Sequence, residues 1–143
     1  MPVPVTVMVV ERYRCVRDTL RIAIHPMPGL ELVAEASDAT EAAGLAMDHE
    51  PDVILLDVDW PSLAGLGAVP VLRLAAPQAL IVMYSSEPAF EHRNGEDAAG
   101  FAIAAGADAY LTAAATLEEM VTLLQAPPEP SPRRPDREEL LNA

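Results

Sequence analysis

The stretch from Pro51 to Leu66, PDVILLDVDWPSLAGL, sets four apolar residues, Val53, Ile54, Leu55 and Leu56, directly before a carboxylate, Asp57. An acid inside such a run would lose hydration that nothing apolar can replace. Asp57 must therefore end a strand and stand in a polar pocket, as a working carboxylate or as a plain turn acceptor. Other chemistries drop out. The first apolar run is followed by ERYRCVRD, which has no glycine. A dinucleotide or P-loop site needs a Gly-rich turn there, so that backbone N–H groups reach phosphates. No Cys or His pair has zinc spacing, and no GxSxG elbow exists. His25, His49 and His92 are isolated and read as ordinary surface or cap residues.

Composition bounds the rest. At 143 residues with 51% hydrophobic content, the chain reads as one folded domain with a sizeable core. Its apolar runs are too short to span a bilayer. MPVPVTVMVVER has neither a basic n-region nor a small-residue cleavage site, so no signal peptide is expected. The single cysteine, Cys15, gives no internal disulfide and no metal framework, and is expected buried or half-buried on a helix. A cytoplasmic location follows as an expectation. The net charge of −13 repels phosphate backbones and anionic lipid, which argues against direct nucleic-acid or membrane binding. All nine basic residues are arginines.

The elements that must position Asp57 alternate in kind. Val5–Val10 suits a strand buried on both faces. Tyr13, Val16, Leu20 and Ile24 recur at helical spacing, and PMPG at 26–29 stops that helix. Leu30–Ala36 reads as a second strand. Asp38 or Thr40 caps a helix through His49, with Ala42, Leu45, Ala46 and His49 on one side. Val53–Val58 is the third strand. A helix over Gly67–Ala75 follows, with Pro70 tolerable only in its first turn. Ala79–Tyr84 is a fourth strand, Pro88–Ala105 a long loop plus a small-residue helix, and Ala109–Thr112 a fifth strand. Thr116 and Glu119 form a capping box for a last helix to Gln125, with Leu117, Met120, Val121 and Leu124 inward.

Five strands alternating with five helices predict right-handed βαβ units, a doubly wound parallel sheet of the α/β class. Ligand sites in such sheets lie beyond the carboxyl ends of the strands. Glu11, Arg12, Asp57, Ser85 and Ala113 each end or follow a strand, so they share that edge. From Ala126 onward five of the chain's fourteen prolines gather, as in a linker or tail.

In the order of its motifs the chain resembles the response-regulator receiver domain, the phosphoacceptor module of two-component signalling. The motifs are VMVVER, PDVILLDVDWPSLAGL with its D-x-x-x-P-x-x-x-G spacing (Asp57, Pro61, Gly65), LIVMYSS, AAGADAYL and the capped final helix. GLELVAEASDATEA looks most like the NarL/LuxR class. The resemblance implies a flavodoxin-like, CheY-like (βα)5 fold over residues 1–125, with 126–143 as linker or tail. It also implies a regulatory switch rather than a turnover enzyme. It matches Asp57 to the phosphoacceptor, Glu11 to one acidic metal ligand, and Asp59 to a metal-ligating backbone carbonyl. Ser85 matches the phosphoryl-binding hydroxyl, and Tyr110 the aromatic switch. The implied partners are a histidine kinase, the protein's own output domain or a second copy.

Two positions depart from the pattern. Arg12 stands where a second acid is expected, and Ala113 where a lysine should pair with phosphoryl oxygens. The chain has no lysine to fill that role. An atypical receiver is expected, in which Mg²⁺ binds weakly or not at all and Arg12 enters the pocket to pair with Asp57 or Glu11. The rivals are a conventional Mg²⁺-dependent phosphoacceptor, a small-molecule sensor under the long loop at EHRNGED, and a dimerisation module. Arg14, Arg17 and Arg21 form a basic stripe that either docks a partner or pairs with the chain's own acids.

Overall fold

The computed structural model describes residues 3–59, 62–94 and 97–130, with 138, 141 and 142; of 92–94 the backbone alone is described. Trp60, Pro61, Gly95, Glu96 and most of the segment beyond residue 130 lie outside the described residues. The order is β1 (Val5–Val10), α1 (Arg14–Ile24), β2 (Leu30–Ala36), α2 (Ala39–His49), β3 (Val53–Asp57) and α3 (Ala64–Ala75). Then come β4 (Leu80–Tyr84), α4 (Ala89–Asn94), α5 (Asp97–Ala104), β5 (Ala109–Leu111) and α6 (Leu117–Gln125). The strands form one sheet in the order β2-β1-β3-β4-β5, and every pairing is parallel. The order reverses at β1, and the ends of β1 and β3 flank that switch point.

The inner strands are chiefly apolar because the sheet is covered on both sides, while the edge strand β2 carries Glu31 and Glu35. Met8, Val10, Ile54 and Leu56 face one cluster with α2, α3 and α5, while Val7, Val9, Val53 and Leu55 face the other with α1 and α6. Asp38 caps α2 by accepting from the Glu41 N–H at 2.8 Å, and Thr116 caps α6 by accepting from Glu119 N–H at 3.0 Å. Among the described residues no helix is long and apolar enough to cross a membrane.

Several expectations need correction. The 88–105 segment holds two helices, α4 and α5, where one was expected. Helix α3 begins three residues early, which puts Pro70 in its interior rather than its first turn. Leu63 starts it from a left-handed backbone, φ 58°, and the close approach of Gly65 to β3 fixes that start. Cys15 is exposed, because it lies in the first turn of α1 on the side away from Leu20 and Ile24. Leu117 is 47% exposed, leaving Met120, Val121 and Leu124 as the buried face of α6. His49 and Tyr13 also lie at the surface.

The far end of the sheet holds a buried ion pair that sequence reasoning did not single out. Arg73 on α3 reaches Asp108 at 2.6 Å and donates to the carbonyls of Ala79, 2.7 Å, and Gly106, 2.8 Å. Asp108 also accepts from the Ile81 N–H. One guanidinium thus joins α3, the start of β4 and the turn before β5.

Two stability predictions follow from these contacts. A Cβ on residue 65 would stand 1.9 Å from the Asp57 carbonyl oxygen, whereas one on Gly67 meets nothing within 4 Å. Gly65→Ala should destabilise by about 2–4 kcal/mol in urea unfolding, while Gly67→Ala, in the same helix, stabilises by up to about 1 kcal/mol. Asp108→Ala leaves the Arg73 charge buried and should cost about 3–5 kcal/mol in the same measurement.

Candidate functional site

The site is assembled by two adjacent parallel strands. Val10 pairs with Leu56, so the residues that follow, Glu11 and Asp57, emerge side by side at the carboxyl edge. Both are buried, at 1% and 3% exposure. The Glu11 N–H is held by the Ala36 carbonyl at 2.9 Å. Its carboxylate accepts from the Tyr13 N–H at 3.0 Å through Oε2 and from the Tyr84 hydroxyl at 2.7 Å through Oε1. Asp57 accepts from Ser86 twice, from N–H to Oδ1 at 3.1 Å and from Oγ to Oδ2 at 3.0 Å. Burial, and then the neighbouring Asp57 charge, push the Glu11 carboxyl up to about 7, against the lowering effect of its own donors. Burial and the Glu11 charge likewise push the Tyr84 hydroxyl well above its ordinary value.

The one cation expected to pair with Glu11 or Asp57, Arg12, pairs with Asp59 instead. The Arg12 side chain lies at the surface, with Nε 3.5 Å from Asp59 Oδ1, a nitrogen donating to the Tyr13 hydroxyl at 2.6 Å, and its plane 4.8 Å over the Tyr13 ring. The expected ion pair with Asp57 or Glu11 is therefore replaced by one with Asp59. Asp59 and the Tyr13 ring and hydroxyl together hold the guanidinium at the mouth of the cavity. Arg17 reaches back instead, donating to the carbonyls of Glu11 at 2.7 Å and Arg12 at 2.9 Å. Arg21 forks onto Glu35 at 2.8 and 2.9 Å. The stripe on α1 is thus largely spent on the chain's own acceptors, and Arg14 alone stays strongly exposed.

Asp59 opens the β3–α3 loop in a left-handed conformation, φ 62°. Its carbonyl accepts from Leu63 N–H at 2.7 Å and from Ser62 Oγ at 2.9 Å, which occupies both lone pairs. Glu11, Arg12, Asp38, Asp57 and Asp59 line a cavity of about 110 Å³ above Gly65. Among the described residues no group of three or more His, Cys, Asp or Glu stands together as a metal-holding set.

The other edge residues divide. The Ser85 hydroxyl donates to the Glu87 carbonyl at 2.7 Å and accepts from its N–H, closing a turn. The hydroxyl on Asp57 belongs to Ser86. Tyr110 lies edge-on to Phe90, with ring centroids 6.0 Å apart, and donates to Glu91 at 2.7 Å. Burial, then Glu91, raise its hydroxyl above the ordinary range. Ala113 contributes no side-chain charge, and its N–H donates to the same Glu91 oxygen.

Residues 7–125 match the family model described as the response regulator receiver domain. The chain belongs to that family. This receiver is 31% identical over 123 residues to response regulator GacA of Pseudomonas aeruginosa, an alignment covering 85% of this chain and 54% of the relative. It is 31% identical over 108 residues to the nitrate/nitrite response regulator protein NarL of Escherichia coli, covering 76% and 47%. The chain spans about half the length of these curated relatives. A two-component response regulator of the LuxR family from Aurantimonas sp. has a TM-score of 0.70 at 30% identity, over 86% of this chain and 84% of that one. The signal receiver domain of NarL from Mycobacterium tuberculosis has a TM-score of 0.72 at 24% identity, over 86% and 94%, and shows the fold alone.

Tyr84 and Ser86, which bond the two carboxylates, escaped sequence reasoning, as did the bonds of Arg17 to loop carbonyls and, beyond the site, of Glu91 to Tyr110. The tandem serines carried a signal for Ser86 without saying which hydroxyl turns to Asp57. Tyr84 sits 73 residues from Glu11, so nothing local announces their bond.

A pH dependence follows from Glu11. Unfolded, it releases its proton near its ordinary 4.5; folded, it keeps it to about 7. The folded chain binds more protons between those values, so this group's contribution makes stability fall as pH rises through that window and level off above it. The full shift corresponds to about 3 kcal/mol, which solvent screening of the carboxylate reduces. Urea unfolding at stepped pH should show that Glu11→Gln removes this part of the slope.

Proposed function

We propose that the chain is an atypical receiver domain, a protein-interaction switch whose strand-end site works as a hydrogen-bond network and does not carry a stable phosphoryl group. The observation that carries this reading is the placement of charge. Among the described residues neither Glu11 nor Asp57 has an ion-pair partner, since position 113 is alanine and Arg12 turns to Asp59. A phosphoryl group on Asp57 would add about −1.5 to −2 charges to that edge. A transfer to a carboxylate needs cations or donors where oxygens gain charge.

The residues present do not fit a divalent cation either. Position 12 offers a guanidinium in place of an acid, and the Asp59 carbonyl is already saturated by Ser62 and Leu63. Glu11 and Asp57 alone would hold Mg²⁺ weakly, with fewer hard oxygen ligands than such an ion prefers. In this reading Asp57 keeps the phosphoacceptor position, Ser86 rather than Ser85 senses it, and Tyr110 reports to α4. The similarity to GacA and NarL supports a place in a LuxR-type transcriptional regulator. Its partners would be its own output domain, a histidine kinase or a second copy, with residues 126–143 as the connecting segment.

Acetyl phosphate with Mg²⁺, read by intact mass, tests the proposal. No stable adduct is expected from the unsubstituted chain. Arg12→Asp combined with Ala113→Lys should raise labelling by about tenfold or more, because it supplies the acid and the cation together. Saturable quenching of Trp60 by millimolar Mg²⁺, followed by a stable adduct in the unsubstituted chain, would overturn the reading in favour of a conventional phosphoacceptor.

A further inference from the structure

One carboxylate outside the strand-end site joins three elements. Glu91, in the first turn of α4, accepts from the Tyr110 hydroxyl of β5 at 2.7 Å and from the Ala113 N–H of the β5–α6 loop at 2.5 Å, both through Oε2. Its neighbour Phe90 is fully buried and holds the Tyr110 ring edge-on. Ala113 is exposed, and its amide donates to Glu91. A single oxygen serving two donors ties them together, since moving it from one alters its geometry with the other.

We infer that Glu91 is a clip that fixes Tyr110 and the β5–α6 loop to α4, so that the three shift as one unit. The clip binds through the backbone at position 113, where no side chain is long enough to hold the loop. The same helix starts just after the Ser85–Glu87 turn, whose middle residue, Ser86, bonds Asp57. A change at Asp57 therefore reaches α4 within three residues, and the clip carries it across to β5 and the loop. The inference goes beyond the proposed function and needs no phosphoryl group or metal.

Amide hydrogen exchange in buffer free of metal and phosphodonor tests it, so that failure of the phosphorylation reading leaves the outcome untouched. Glu91→Ala should speed exchange of the Ala113 amide by about tenfold or more, leaving the Glu41 amide in the α2 cap unchanged. Tyr110→Phe does not touch the Ala113 bond, yet should also speed its exchange severalfold, because the clip loses its second hold. Glu91→Gln, which keeps the shape and one acceptor oxygen, should restore most of the protection and carries the test should Glu91→Ala not fold. An Ala113 amide that exchanges equally in the unsubstituted chain and in Glu91→Gln and Glu91→Ala overturns the clip. So does an Ala113 amide indifferent to Tyr110→Phe, which would leave two independent bonds.

Discussion

Two carboxylates, Glu11 and Asp57, are buried side by side at the ends of adjacent parallel strands, and the edge of the sheet is organised around that constraint. Parallel pairing of β1 with β3 leaves no choice, since Val10 opposite Leu56 brings the next residues out together. Each charge has left water, and each must find donors. Tyr84 and the Tyr13 N–H answer Glu11; Ser86 answers Asp57 twice. These are neutral donors, and they do not cancel the mutual repulsion. Burial first, and the neighbouring Asp57 charge after it, leave Glu11 with a raised proton affinity.

The β3–α3 loop follows from a second constraint, the approach of Gly65 to the Asp57 carbonyl. No side chain fits there. To bring the helix that close, the chain turns through left-handed backbone at Asp59, a type that tolerates it, and at Leu63, a type that rarely adopts it. Ser62 and the Leu63 N–H stabilise the turn by binding the Asp59 carbonyl. The same bonds occupy the carbonyl that the proposed reading would otherwise offer to a metal, so in that reading the loop conformation and the weak metal site have one origin.

The fold was legible because its signals are local. Each strand is an apolar run, and Asp38 and Thr116 announce their helices through a bond three residues ahead. Glycine at position 65 was legible as a motif, while its reason lay in a contact eight residues back in sequence. The start of α3 was misplaced because Pro70 favours a first turn, and a long-range contact at Gly65 overrode that preference. Side-chain direction was the harder matter. Charge alone points Arg12 to Asp57 or Glu11, but the nearer Asp59 carboxylate and the Tyr13 ring take its guanidinium. Ser85 and Ser86 differ by one residue, which in extended chain means opposite faces. Glu91 meets partners 19 and 22 residues away, and no periodicity reports such a bond.

The arginines complete the picture. A chain at −13 with no lysine has few positive charges to spend near two buried acids. Arg73 is spent deep at the far end of the sheet, Arg17 on loop carbonyls and Arg21 on Glu35. Each of these uses exploits the flat, forked guanidinium, which satisfies several acceptors at once and suits scaffolding better than a point charge would. Lysine, with its compact ammonium on a flexible stem, is the type suited to follow an oxygen that gains charge and then leaves. In the proposed reading, forked cations at the supports, with none paired to Glu11 or Asp57 among the described residues, suit the strand-end site to holding charge rather than transferring it. Ser86, which bonds Asp57, is then the neutral donor that leads into α4.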